Sequence, residues 1–83
     1  MNTTEVKVHP AAELFPMMDA EQYAGLKEDI RQNGLKEPIV FYDNQLLDGR
    51  NRLKACQELG IATQEEECDV DLVNPWEYVI SHN

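Results

Sequence analysis

The chain is poor in cations, cysteines and glycines, and each scarcity excludes something. Its 83 residues hold only 7 lysines and arginines against 16 aspartates and glutamates, a formal net charge of −9. Such a balance repels a phosphate backbone at long range, so bulk electrostatics argue against this domain alone gripping DNA. The two cysteines, Cys56 and Cys68, form no C-x-x-C pair and no zinc spacing. Two histidines, His9 and His82, stand at opposite ends, which argues against a four-ligand metal site. Neither G-x-x-x-x-G-K-[ST] nor G-x-G-x-x-G occurs among so few glycines, which excludes the two commonest nucleotide-binding loops. No apolar run reaches the length of a membrane span, and "MNTTEVKV" has neither the basic nor the apolar region of a secretory signal. The expectation is a cytoplasmic protein with reduced thiols and no membrane contact.

What remains is the patterning of one small domain, residues 1–83, with too little chain for a second core. Val6 and Val8 alternate as a short strand does, and Pro10 ends it at an edge or loop. Asp19 is a good N-cap with Gln22 three residues on, a capping-box pattern. Tyr23, Leu26 and Ile30 then recur at helical spacing over Ala20–Asn33, with Gly34 as the stop. Ile39, Val40, Phe41 and Tyr42 read as a strand, Asp43-Asn44 as a two-residue hairpin turn, and Gln45, Leu46 and Leu47 as the return. After Gly49 a helix carries Leu53, Cys56 and Leu59 and ends at Gly60. The acidic "QEEECDVD" reads as a solvated loop leading into a strand in which Val70 and Leu72 face inward. Asn74 and Pro75 open a last helix, with Glu77 in its first turn and Trp76, Val79 and Ile80 as the expected inward face. The order strand, helix, hairpin, helix, strand, helix predicts an α/β (α+β) domain: three helices on a small mixed sheet. The chain stops hardly two turns into the last helix, so the expectation is a piece of a longer protein.

One stretch stands out against the acidic background. In "LLDGRNRLKAC" an apolar strand stops at Asp48-Gly49, and two of the few cations, Arg50 and Arg52, follow at once. The first N–H groups of a helix have no internal partners and carry partial positive charge. A glycine before them permits close approach to the backbone, and two guanidiniums can fork onto phosphate oxygens. Gly49, Arg50, Asn51 and Arg52 are therefore the candidate phosphate-binding residues. On composition alone, pairing of the arginines with Asp48, Glu58 or the acidic block is the competing reading.

The stretch "LKEDIRQNGLKEPIVFYDNQLLDGRNRLKACQELGI" resembles the N-terminal domain of the ParB/RepB partition-protein family. The likeness rests on Gly34-Leu35-Lys36-Glu37-Pro38-Ile39-Val40, a hairpin, and then Gly49-Arg50-Asn51-Arg52-Leu53-Lys54-Ala55 opening a helix. It spans most of the chain and is nearer the mobile-element and phage branch than the chromosomal one. The resemblance implies the ParB/sulfiredoxin-like fold and binding of a nucleoside triphosphate, CTP or ATP with magnesium, at the arginine turn. It further implies DNA contacts through regions outside these residues, a role in plasmid or chromosome partition or related DNA transactions, and compatibility with a homodimer. His82 and Asn83 fall on the family's Glu-Asn positions and become candidate nucleotide or metal contacts, although His82 replaces a hard oxygen ligand. The turn itself lacks the fuller G-E-R-R of partition proteins proper. A sulfiredoxin is excluded because Arg50 stands where that enzyme's catalytic cysteine falls.

Weak triphosphatase activity fits the resemblance, and no catalytic residue or resident metal site is assigned. Two alternatives remain: a nuclease or other phosphoryl-transfer enzyme on the same fold, and a protein-interaction module that has lost nucleotide binding. Cys56 and Cys68 are expected to be inert, the first as a core residue and the second because neighbouring carboxylates raise its pKa. His9 is expected to be an exposed loop residue. Trp76 is expected in the core, with the wall of a base pocket as its alternative.

Overall fold

The computed structural model describes residues 6–82, and from the first α-helix onward its elements run in the expected order. A short 3-10 helix (Pro10–Leu14) precedes helix α1 (Ala20–Asn33); strands β1 (Ile39–Tyr42) and β2 (Gln45–Asp48) form the hairpin; α2 (Arg50–Leu59), β3 (Glu65–Glu67) and α3 (Pro75–His82) follow. This is an α+β domain with three α-helices and a three-stranded mixed sheet in the order β2-β1-β3.

Local chemistry sets the boundaries. Asp19 accepts from the Gln22 N–H at 2.8 Å while the Gln22 side chain reaches back to the Asp19 N–H, a complete capping box on α1. Asp43 and Asn44 both take positive φ (50° and 62°), the conformation a two-residue hairpin loop needs to match strand twist. Asn74 caps α3, its Oδ1 accepting from the N–H groups of Trp76 and Glu77 at 2.9 and 3.2 Å.

The sheet is covered on both faces. Leu46 and Leu47 are adjacent on β2, hence on opposite faces, and both are buried. Leu47 joins Ala11 of the 3-10 helix and Val79 of α3, while Ile30 of α1 packs with Ala55 and Cys56 of α2. The expected first strand is a single parallel bridge between Val8 and Leu46 on the outer side of β2. His9, expected in an exposed loop, is half-buried instead: its Nδ1 accepts from the Ala11 N–H at 2.9 Å and caps the 3-10 helix.

Two further expectations fail, for physical reasons. The third strand is Glu65–Glu67, inside the acidic block, and Val70 and Leu72 after it are 47% and 82% exposed. Parallel pairing with β1 fixes its place: Ile39 N–H donates to the Gln64 carbonyl at 2.7 Å and Cys68 N–H to the Phe41 carbonyl at 2.8 Å. Past Cys68 the Asp69 side chain accepts from the Asp71 N–H, and its carbonyl accepts from Leu72 and Val73, turning the chain away from the sheet. A local aspartate turn thus outcompetes the valine–leucine alternation. The exposed glutamates also leave the β3 edge unattractive to other strands. On α3, Val79 is buried, but Trp76 and Ile80 are 46% and 60% exposed. The inward stripe runs through Pro75, Tyr78 and Val79, since α3 packs mainly on the 3-10 helix and β2.

Candidate functional site

The 49–52 turn sits where β2 ends and α2 begins, at the mouth of a cleft of about 310 Å³. Gly49 is the N-cap of α2 with φ 104°, a conformation that L side chains rarely adopt. A Cβ there would stand 3.0 Å from both the Arg52 guanidinium and Ile39 Cδ1, so position 49 requires glycine for backbone and space alike. No side chain caps α2, and no acidic residue lies in its first turn, unlike α1 and α3. The opening N–H groups of this helix are therefore left to solvent or a ligand.

The two arginines have different employment. Arg52 is the more enclosed: its Nη2 donates to the Pro38 carbonyl at 3.0 Å, and Glu37 and Asp48 each lie 3.7 Å from its guanidinium. Its Nε is buried without a hydrogen-bond partner. Its charge is largely neutralised, and it joins the loop before β1 to the start of α2. Arg50 donates from Nη2 to the Phe15 carbonyl at 2.8 Å and forms no ion pair among the described residues. A carbonyl contact leaves the guanidinium's charge and most of its donors free. Asn51 Oδ1 accepts from the Met18 N–H at 3.3 Å. Arg50 and Asn51 together hold the 15–18 segment against the start of α2.

The cleft has two characters. Phe15, Pro16, Met18, Leu26 and Leu35 contribute apolar lining, and the 49–52 turn with Lys36, Glu37 and Asp48 contributes polar lining. Lys36, Arg50, Arg52, Asp29, Glu37 and Asp48 all line it. Arg52 pairs with Glu37 and Asp48, while Arg50 and Lys36 form no ion pair among the described residues. The apolar lining escaped the sequence reading. Its signal was "LFPMM", an apolar run in a loop where polar residues are the rule.

Gly49, Arg50, Asn51 and Arg52 all line the cleft. His82 does not: it is exposed at the end of α3, stacked on Tyr78 with ring centroids 3.9 Å apart, its Nδ1 2.8 Å from the Tyr78 carbonyl. Asn83 lies outside the described residues. Among the described residues no group of three or more His, Cys, Asp or Glu side chains converges as a metal would require. Both cysteines are free. Burial raises the Cys56 thiol pKa, opposed by Arg52; burial and then Glu66 raise that of Cys68. No helix among the described residues is long and apolar enough to cross a membrane.

Compared with protein-family models, curated proteins and solved structures, the chain matches none.

Proposed function

We propose that this is a ParB-like nucleotide-binding domain that takes a nucleoside triphosphate, CTP or ATP with magnesium, into the cleft beside the 49–52 turn. The observation that carries the reading is Arg50: a guanidinium lining a cleft, without a carboxylate partner among the described residues, at an uncapped helix start in a chain of net charge −9. Phosphate oxygens satisfy the free N–H groups and the guanidinium together. The apolar lining, through Phe15 and Met18 beside the turn, suits the face of a base and a sugar. Arg52 acts from behind, holding the turn in shape. Asp29, Glu37 and Asp48 are the carboxylates lining the cleft that would supply oxygen donors to magnesium, which takes one or two carboxylates together with substrate phosphates. Glu37 and Asp48 would share them with Arg52, 3.7 Å away, whereas Asp29 forms no ion pair among the described residues. Magnesium bound there would neutralise phosphate charge.

In this reading the domain reports nucleotide occupancy to the rest of a DNA-associated protein engaged in partition or related DNA transactions. DNA is read by regions outside these residues, in keeping with the acidic balance.

Calorimetric titration with CTP, ATP and GTP in the presence of magnesium tests this. One of the three should give saturable heat. Arg50→Ala should weaken it by roughly 1.5–3 kcal/mol, about ten- to a hundredfold, the worth of hydrogen bonds to a charged group. Arg50→Lys should recover only part, since it keeps the charge and loses the fork. Undiminished affinity in Arg50→Ala would remove the reading.

A further inference from the structure

The outer face of α3 carries large apolar side chains left exposed by the described residues. Trp76 and Ile80, four residues apart and so on one stripe, are 46% and 60% exposed. The turn leading into the helix adds Val70 and Leu72, 47% and 82% exposed. The turn is a formed structure: the Asp69 carbonyl accepts from both Leu72 and Val73 at 3.0 Å, and the Tyr42 hydroxyl donates to the Val70 carbonyl at 3.4 Å. His9 links the two parts, its ring edge-on to Tyr42 at 5.5 Å and to Trp76 at 6.3 Å. Four large exposed apolar side chains thus fall within residues 70–80 of an 83-residue domain, while the inward stripe on α3 is already satisfied by Val79 and Tyr78. Scattered exposed apolar residues are ordinary, but a grouped set rimmed by charge marks a contact surface.

The rim identifies the occupant. Asp69, Asp71 and Glu77 interleave with the apolar residues along the chain, and Glu66 precedes them on β3. None of these four carboxylates forms an ion pair among the described residues. A second copy of this chain would bring the same carboxylates against them. Nucleic acid and anionic lipid would be repelled for the same reason. The complementary surface is an apolar stripe flanked by lysine and arginine. We propose that the Val70, Leu72, Trp76 and Ile80 surface docks a basic amphipathic helix of a partner protein, its apolar stripe on Trp76 and Ile80 and its cations on Asp69, Asp71 and Glu77. This is helix-on-face recognition, with the tryptophan as the natural anchor.

Trp76 is the only tryptophan, so its emission reports the docking directly. The probe is a synthetic helical peptide with leucines on one stripe and lysines elsewhere. Its companions are a sequence-scrambled isomer of equal charge and an analogue with glutamate for lysine. The helical lysine peptide should shift the emission to the blue saturably, the scrambled isomer should bind roughly tenfold or more weakly, and the glutamate analogue should not bind. Leu72→Ser with Ile80→Ser, both at exposed positions, should melt near the parent and bind the peptide about tenfold more weakly. Asp71→Asn with Glu77→Gln should weaken binding and flatten its salt dependence. Equal binding of the scrambled peptide, or undiminished binding by the serine variant, would overturn the proposal. So would a blue shift without peptide that grows with protein concentration, which assigns the face to a second copy, or one produced by anionic lipid vesicles, which assigns it to a membrane surface.

Discussion

Replacing Gly49 by alanine should damage the protein more than any other glycine-to-alanine change, and the structure supplies the size. The left-handed backbone at φ 104° costs an L residue about 1–2 kcal/mol. The new Cβ would also meet Ile39 Cδ1 and the Arg52 guanidinium, each at 3.0 Å. Ile39 is fully buried and has little room to yield. Arg52 can yield only by loosening its hydrogen bond to Pro38, a contact from a charged donor worth roughly 1.5–3 kcal/mol. A combined loss of about 3 kcal/mol compares with a total stability of about 4–12 kcal/mol for a chain of this length. It lowers Tm by roughly 12–24 °C. Two controls separate the causes. Gly60, at φ 71° with no atom within 4 Å of an added Cβ, tests the backbone cost alone and should lose about 1–2 kcal/mol. Gly25 lies inside α1 with nothing within 4 Å, so alanine there should stabilise by about 0.5–1 kcal/mol through helix propensity. Thermal melts followed by circular dichroism would read all three. A Gly49→Ala protein melting within a few degrees of the parent, or no lower than Gly60→Ala, would refute the close-packed turn.

Asp19→Ala removes the capping box on α1 and should cost about 1 kcal/mol, a fall of roughly 4–8 °C in Tm by the same assay. Burial, and then the hydrogen bond to Glu58, push the Tyr23 phenol from 10 up to about 12, so the folded state holds this proton where the unfolded state has lost it. The stabilisation is whole below pH 10 and disappears as pH rises to about 12. Ultraviolet titration should show a late phenolate near 12 that Tyr23→Phe removes, beside the Tyr78 phenol, which burial and then Asp48 also raise. Raised thiol pKa values at Cys56 and Cys68 predict slow labelling by a thiol reagent at neutral pH, with Cys56, which is fully buried, reacting only as the fold opens. Labelling of Cys56 at the rate of a free thiol in the folded protein would contradict its place in the core.

The parts of the fold legible in the sequence are those set by neighbouring residues. Asp19 with Gln22, Asp43-Asn44 between two apolar runs, and Asn74-Pro75 each specify a boundary through side-chain-to-backbone chemistry three or four residues wide, and each boundary lies where that chemistry puts it. The misjudged parts depend on partners distant in sequence. Val70 and Leu72 alternate as a strand should, but β1 is occupied at that level by Glu65–Glu67, and Asp69 turns the chain. Trp76 and Ile80 look as inward as Val79 by hydrophobicity; only the position of the 3-10 helix selects the stripe that is buried. At the site, the grouping of Gly49, Arg50, Asn51 and Arg52 was readable, since they are consecutive. The division of labour between the arginines was not. It depends on Pro38, Glu37 and Phe15, which the hairpin and the loop before α1 bring to the turn.

The central claim is that a triphosphate binds the 49–52 turn, and the most direct measurement is the amide spectrum of the isotope-labelled protein titrated with magnesium and CTP, then ATP. Binding at the turn should move the N–H resonances of Arg50, Asn51 and Arg52 first and furthest. Met18 should follow, since its N–H is held by Asn51. The β3 edge and the outer face of α3 should stay in place. A saturable titration that leaves the three amides unmoved, or no change with either nucleotide, would contradict the account.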